Sequence, residues 1–305
     1  MKAANPAGEH LGDLVTEATR PELDDLDRRS TSDLVRLMID EQVAVDQALR
    51  AASPQLEAVV DAVAHRIGGG GRLVYLGAGT PGRLAAVDAA ECPPTFGVPP
   101  ETVVALVAGG PRSMAGAREG AEDDAQSGAM AVRWAHVGPD DVVVGISASG
   151  RTPYVVAGLV AARETGALAV AIVNNAGSAM SAVADLTIEL PTGPEVLAGS
   201  TRLKAGTAQK VVLNALSTLV MVRTGHTFGN LMVDVRASNA KLHDRALRIL
   251  AQATGCTDAD AQRALVEADD SVKVAVVMLR AGLNAAAARD RLERSGSVRQ
   301  AIDDA

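Results

Sequence analysis

Aromatic rings are almost absent from this chain: among 305 residues there are only Tyr75, Phe96, Trp134, Tyr154 and Phe228. Recognition of nucleic acid by stacking bases on aromatic side chains is therefore close to excluded. With 48% apolar residues the chain still buries a sizeable core, which has to be built from Ala, Val, Leu and Ile. Positive charge is also short. Against 37 acidic residues there are 29 Lys and Arg, a net charge of −8. That balance argues against DNA, RNA or an acidic membrane as partner, and leaves room for a local basic pocket around a small anion. Cys92 and Cys256 fit no zinc or iron–sulfur spacing, and read as reduced, buried thiols of a cytosolic protein. His10, His65, His136, His226 and His243 show no ligand spacing either, so no metal is expected. No uninterrupted apolar run reaches the roughly 18 residues of a membrane span, and no basic-then-apolar leader opens the chain. The expectation is a soluble cytoplasmic protein with a small substrate.

A length of 305 residues suits one large α/β domain with a small appendage, at about 150 residues per domain. Residues 1 to about 30 are polar, with Pro6, Gly8, Pro21 and a charged run from Glu22 to Arg29, and read as a loosely ordered arm. Ser30 or Ser32 can cap a helix carrying Leu34, Leu37, Met38, Val45 and Leu49, and Ser53 with Pro54 opens another that stops at Gly68–Gly71. The period then changes. Leu73–Leu76, Val103–Val107, Val142–Ile146, Ala169–Val173 and Leu186–Leu190 are short continuous apolar segments, the pattern of buried parallel strands. Lys204–Thr224 reads as a long apolar helix ended by Gly225. Beyond it, Asp258–Ala268, Val272–Arg280 and Ala285–Leu292 read as three short helices of a compact accessory unit. The expected boundaries are 1–50 for the arm and first helix, 51–250 for the sheet domain and 251–305 for the helical unit. Parallel sheets bind ligands beyond the carboxyl ends of their strands, so chemistry is expected there.

Gly77-Ala-Gly79-Thr80-Pro-Gly82 lies between a strand and a helix and has the spacing of the dinucleotide fingerprint. That reading also needs an acid at the end of the next strand to hold the ribose, and Val107-Ala-Gly-Gly110 supplies none. A phosphate loop fits better, because a second polar loop, Ser147-Ala-Ser149-Gly150-Arg151-Thr152, follows another strand, with Thr152 placed to cap and Pro153 to open a helix. Hydroxyls and free backbone N–H groups at a helix start suit a phosphate oxyanion; turn and cap duty is the plainer reading of the same residues. A third cluster, Ser200, Thr201, Arg202 and Lys204, precedes the long helix, where it either neutralises a phosphate or simply solvates the helix start. The candidate binding residues are thus Gly79, Thr80, Ser147, Ser149, Gly150, Arg151, Thr152, Ser200, Arg202 and Lys204. Glu91 stands at the end of the helix opened by the glycine loop, against the dipole, with Cys92-Pro93-Pro94 fixing the exit. Glu122 lies in the acidic run Glu119–Asp124. Two carboxylates in different environments can act as acid and base on one sugar, while solvated surface charge is the plainer origin of either.

Six segments in order, Leu76-Gly-Ala-Gly-Thr-Pro-Gly-Arg83, Ala90-Glu-Cys-Pro-Pro-Thr-Phe-Gly97, Glu119-Gly-Ala-Glu-Asp123, Ser147-Ala-Ser-Gly-Arg-Thr-Pro-Tyr154, Gly199-Ser-Thr-Arg-Leu-Lys-Ala-Gly-Thr-Ala-Gln-Lys210 and Phe228-Gly-Asn-Leu-Met-Val-Asp-Val235, closely resemble the N-acetylmuramic acid 6-phosphate etherase family. The resemblance runs from about Thr16 to the C-terminus. It implies an α/β fold of the sugar-isomerase (SIS) type, a flavodoxin-like parallel sheet with flanking helices, plus a small C-terminal three-helix unit similar to a ubiquitin-associated (UBA) domain. It also implies a homodimer, a phosphosugar substrate and no metal or organic cofactor. The glucokinase regulatory protein is a relative built on two such domains; this chain has room for one. The implied reaction cleaves the lactyl ether of N-acetylmuramic acid 6-phosphate to N-acetylglucosamine 6-phosphate and D-lactate. By motif match Glu91 is the proton donor to the leaving lactate and Glu122 the second catalytic acid, to which we assign proton abstraction at C2. The chain departs from the family pattern at Pro81 and Ala90, where Ser is usual or frequent; Pro81 removes a hydroxyl and an N–H, so phosphate binding leans on Thr80 and the second loop.

Two other readings share these loops. An aldose–ketose isomerase of phosphosugars needs only one base, and a sugar-phosphate-sensing regulator needs none; a DNA-binding regulator would need a basic helix-turn-helix that the acidic arm lacks. Four of the five rings, all but Trp134, fall in the proposed site segments or, for Tyr75, directly beneath the glycine loop, which places them near the sugar as a further expectation.

Overall fold

Continuous runs of Val, Leu and Ile leave a strand no polar face to turn to water, so such strands must be covered on both sides. The computed structural model describes residues 14–114, 116, 119–235 and 240–304. The chain runs through α1 (Thr31–Asp40), α2 (Gln42–Ala51), α3 (Ser53–Gly68), β1 (Leu73–Gly77), α4 (Gly79–Phe96), β2 (Val103–Val107), α5 (Ala125–Trp134) and β3 (Val142–Ser147). It continues through α6 (Pro153–Glu164), β4 (Leu168–Val173), α7 (Ala179–Val183), β5 (Leu186–Glu189) and α8 (Lys204–Arg223). A two-stranded ribbon of β6 (Thr227–Phe228) and β7 (Leu231–Met232) follows, then α9 (Ala240–Thr254), α10 (Asp258–Glu267), α11 (Val272–Ala281), α12 (Ala285–Ser295) and α13 (Val298–Asp303).

The strands assemble as β2-β1-β3-β4-β5. β1 pairs in parallel with β3 from Leu73↔Val142 to Gly77↔Ile146, β3 with β4 from Val142↔Leu168 to Ser147↔Val173, and β4 with β5 from Val170↔Leu186 to Val173↔Glu189. Every residue of β1 and β3 is buried. One face of the sheet packs Val74, Leu76, Val143 and Ala171 against Val155 and Leu159 of α6. After β2 the chain returns past β1 to lay down β3, so the direction of strand addition reverses between β1 and β3. Their carboxyl ends flank the crevice where this strand order binds ligands.

The described chain forms two compact units, one of residues up to Val87 with Val104–Leu216, the other of Asp88–Val103 with the residues from Ser217 onward. In the second unit Phe228, Val233, Leu250, Leu265, Val276, Val277 and Val298 share one core. Each of its last four helices begins on a side-chain cap: Thr257, Ser271, Asn284 and Ser297 accept the N–H groups of Asp260, Val274, Ala287 and Gln300. Three of these helices match the expected three, and α13 is an additional one. α8 has the length and apolarity of a membrane span, yet 56% of that stretch is buried inside the fold.

Local expectations failed in the arm and in α4, and the one helix expected to carry Leu34 to Leu49 is broken at Glu41 into α1 and α2. The arm expected to be loosely ordered forms 3-10 turns at Val15–Glu17, Pro21–Leu23 and Leu26–Arg28 and buries Leu14, Thr16 and Leu23; Pro6 and Gly8 lie outside the described residues. It is held by tertiary partners that composition does not report, Arg20 on Glu41 and Thr16 on Asn175. The second failure concerns Pro93 and Pro94, which sit inside α4 rather than ending it at Glu91. They withhold N–H donors from the carbonyls of Ala89 and Ala90, and the helix tolerates this for its last turn.

Asp269 and Asp270, after α10, both have left-handed backbone, with φ of 52° and 60°. Their N–H groups close the helix end on Val266 O at 3.2 Å and Leu265 O at 2.9 Å, and Asp269 is tied to Arg289 at 2.7 Å. Left-handed backbone costs a non-glycine residue about 1–2 kcal/mol, partly offset by the entropy a glycine adds to the unfolded chain. Asp270→Gly is therefore expected to stabilise the protein by about 0.5–1 kcal/mol, seen as a higher urea midpoint at unchanged slope.

Candidate active site

The two loops expected to hold phosphate follow adjacent strands, β1 and β3, and so meet at the crevice. In the first, a Cβ on Gly77 would lie 2.8 Å from Gly82 N and one on Gly82 2.8 Å from Gly77 O, so only glycine permits α4 to start this close to the strand. Pro81 is the third residue of α4, where an N–H has no intrahelical acceptor. Its ring costs the helix nothing there and leaves one donor fewer for a ligand. In the second loop Ser147 Oγ accepts the Gly150 N–H at 3.1 Å and lies 2.8 Å from Thr152 Oγ1 and 3.2 Å from Ser149 Oγ. Ser149 Oγ in turn accepts the Arg151 N–H at 3.2 Å. Thr152 precedes α6 but makes no side-chain cap bond, because its hydroxyl is turned inward to Ser147. Three hydroxyls and two backbone N–H groups converge on one turn, and each hydroxyl can re-aim its proton toward an arriving oxyanion. Gly150 is left-handed at φ +67°, and a Cβ there would lie 2.4 Å from Ser178 Oγ.

The third cluster is brought beside the first loop: a Cβ on Gly206 would stand 3.5 Å from Thr80 Cγ2. Ser200 is half-buried and Arg202 exposed. Lys204 differs. Its side chain is buried, and its ammonium is paired with Glu41, which also receives Arg20 Nη1 at 2.7 Å. Burial works to raise the Glu41 carboxyl, but the hydrogen bonds from Lys204 and Arg20 prevail and hold it below the usual carboxylate range. A cavity of about 380 Å³ opens beside this trio, lined also by Gln47, Thr192 and Pro194. The free N–H groups at the start of α8 are taken by the chain itself, since buried Glu195 accepts from Lys204 N at 3.1 Å and Ala205 N at 3.0 Å. Glu195 and Glu41 escaped sequence reasoning. Nothing in local spacing marks either, because Glu195 stands nine residues before its helix and Glu41 is 163 residues from Lys204.

Glu122 is exposed, on the one-turn helix Ala121–Asp123 that follows left-handed Gly120, in the first unit. Glu91 is exposed on α4, in the second unit. Cys92, next to it, is buried and its thiol is pushed up to about 12, by burial and then by the Asp88 charge, so it stays an unreactive thiol. The rings do not line a sugar pocket as expected. Tyr75, Phe96, Tyr154 and Phe228 are all buried, Phe228 in the core of the second unit, and only Trp134 is exposed. In a chain this poor in large side chains the rings go to filling the interior. Burial, with the Asp124 charge, pushes the Tyr154 hydroxyl up to about 12. Among the described residues no three His, Cys, Asp or Glu side chains gather as metal ligands.

The SIS domain family matches residues 125–219, the N-terminal SIS domain of glucokinase regulatory protein matches 55–163, and that protein's C-terminal lid domain matches 229–272. An N-acetylmuramic acid 6-phosphate etherase of Rubrobacter xylanophilus is 53% identical over 96% of this chain and 97% of its own length. One from Streptomyces avermitilis is 52% identical over 96% and 94%, and one from Deinococcus radiodurans 50% identical over 92% of each. Among solved structures, a phosphoheptose isomerase from Francisella tularensis covers 63% of this chain and 98% of its own at 15% identity, with a TM-score of 0.48. Sharing half its residues, in order and over nearly the full length, with proteins of that name, the chain belongs to the N-acetylmuramic acid 6-phosphate etherase family.

Proposed function

We propose that this protein is itself an N-acetylmuramic acid 6-phosphate etherase, a carbon–oxygen lyase of amino-sugar catabolism and cell-wall recycling. The observation that carries the reading is identity near 50% across almost the whole length of both chains. The hydroxyl-lined turn at the β1/β3 crevice supports it, as a place for the substrate phosphate. With the sugar ring open, the C1 aldehyde acidifies C2. A base removes the C2 proton, the electron pair forms C2=C3, and the C3–O bond breaks as the lactate oxygen takes a proton. Water then adds its oxygen to C3 and a proton to C2, giving N-acetylglucosamine 6-phosphate and D-lactate. In this reading Glu122 is the base and Glu91 the donor, and Gly79, Thr80, Ser147, Ser149, Gly150, Arg151, Thr152, Ser200 and Arg202 hold the phosphosugar. Lys204 belongs to the same set, its ammonium turning a second N–H to the ligand while it stays paired with Glu41. A homodimer in the cytoplasm belongs to the same proposal, and sedimentation velocity reads the first of these.

Purified protein incubated with N-acetylmuramic acid 6-phosphate is expected to release free D-lactate in step with N-acetylglucosamine 6-phosphate. Absence of lactate together with interconversion of a hexose phosphate would assign the site to an isomerase instead.

A further inference from the structure

Gln209, in the second turn of α8, is completely buried. Its Nε2 donates to Asn174 Oδ1 at 2.9 Å. Asn174 cannot present the other end of its amide, because its Nδ2 donates to Leu190 O at 2.9 Å. The direction of the Gln209 amide is therefore fixed as well, and its Oε1 is left as a buried acceptor with no partner among the described residues. A buried, unsatisfied carbonyl is a cost to stability, which an apolar side chain of the same shape would avoid. What the position uses is the donor.

That donor acts on the serine loop. The backbone N–H of Asn174 donates to Ala148 O at 3.1 Å, and Asn175 Nδ2 donates to the same oxygen at 2.9 Å. Ala148 stands between Ser147 and Ser149, whose hydroxyls organise the turn. Gln209 thus reaches the loop in two steps, through the residue whose main chain pins it. At its other end Gln209 belongs to the helix whose start carries Ser200 and Arg202 just before it, and Gly206 against Thr80. One amide pair ties all three clusters into one register.

We propose that Gln209 is a positioning residue, which through Asn174 holds the serine loop against the start of α8 and so sets the affinity for the substrate phosphate. The proposal rests on the phosphosugar reading of these loops. Gln209→Met removes the donor and the orphaned acceptor together while keeping an unbranched chain of similar length; Asn174 Oδ1 then replaces Gln209 Oε1 as the buried oxygen without a donor, so one cost to stability takes the place of the other. The midpoint of thermal unfolding is expected to stay within about 3 °C of wild type. KM for N-acetylmuramic acid 6-phosphate is expected to rise about tenfold, as a pre-organised loop loosens, with kcat within about twofold of wild type. The dissociation constant of N-acetylglucosamine 6-phosphate, measured by calorimetry, should rise by the same factor as KM. A lowered unfolding midpoint with unchanged KM and unchanged binding would overturn the proposal, because Gln209 would then serve stability alone. Gln209→Leu makes the same deletion with a different shape, and failure of both variants to fold would overturn it equally. The two readings part cleanly. Wild-type protein that binds the sugar phosphate but releases no lactate refutes the reaction and leaves positioning to be judged on affinity; wild-type turnover with a normal Gln209→Met variant refutes positioning alone.

Discussion

Glu122→Gln is expected to lower D-lactate release by about 10²–10⁴-fold, the range lost with a general acid or base, and to abolish entry of solvent deuterium at C2. Glutamine keeps the volume and exposure of the side chain, so the fold has no reason to change: Glu122 occupies one turn of helix on the surface. Glu91→Gln should cost a similar factor in lactate release and behave differently in exchange. With the base intact, the C2 proton still comes off and returns, so deuterium enters at C2 while the ether survives. The two assays together separate abstraction from leaving-group protonation, which rate alone does not. Normal C2 exchange in Glu122→Gln would move the base to another residue, with Glu91 as the first to test.

Much of this architecture was legible from local patterns. Central apolar runs such as Val142–Ile146 became strands because a strand covered on both faces tolerates few polar residues, while the edge strands β2 and β5 are only partly buried and β5 carries Thr187 and Glu189. Of the two serines read as possible caps, Ser30 takes the position, a contact across three residues that local sequence makes visible. The hydroxyl-rich turn was likewise visible as a turn, since Ser147, Ser149 and Thr152 meet across five positions. What sequence spacing does not carry is the identity of distant partners. Thr152 sits where a cap should sit and gives its hydroxyl to Ser147 instead; Lys204 stands where a phosphate ligand is expected and is claimed by Glu41. The cluster before α8 reads as neutralising a phosphate or solvating the helix start, and the fold adds Glu195 of the same chain as acceptor for the N–H groups of Lys204 and Ala205. Polar residues near a crevice announce that something must satisfy them, and only the fold shows whether that is a ligand or the protein.

Lys204→Met tests this division of labour, and its effect on stability is expected to be about 3 kcal/mol at neutral pH, the lower end of the cost of unpairing a buried ion. The lower end applies because Arg20 remains on Glu41 at 2.7 Å. The sign of the pH dependence follows from the direction in which Glu41 is held. Its folded carboxyl lies below the usual range, so the stabilisation is complete above the unfolded value of about 4.3 and is lost as pH falls through the depressed folded value. In Lys204→Met one of the two groups that hold the carboxyl down is gone, and burial then acts against the charge. The stability difference between wild type and variant should therefore be largest near pH 7 and shrink below about pH 4, as Glu41 becomes neutral in both. Other carboxylates held low by the fold, such as Asp141, which is buried but accepts from Arg72, titrate alike in the two proteins and cancel in the difference. Urea unfolding of both proteins across that range measures it. A difference that stays constant from neutral to acid pH would mean that Lys204 stabilises through its packed methylenes rather than its charge, leaving its ammonium available to a phosphate.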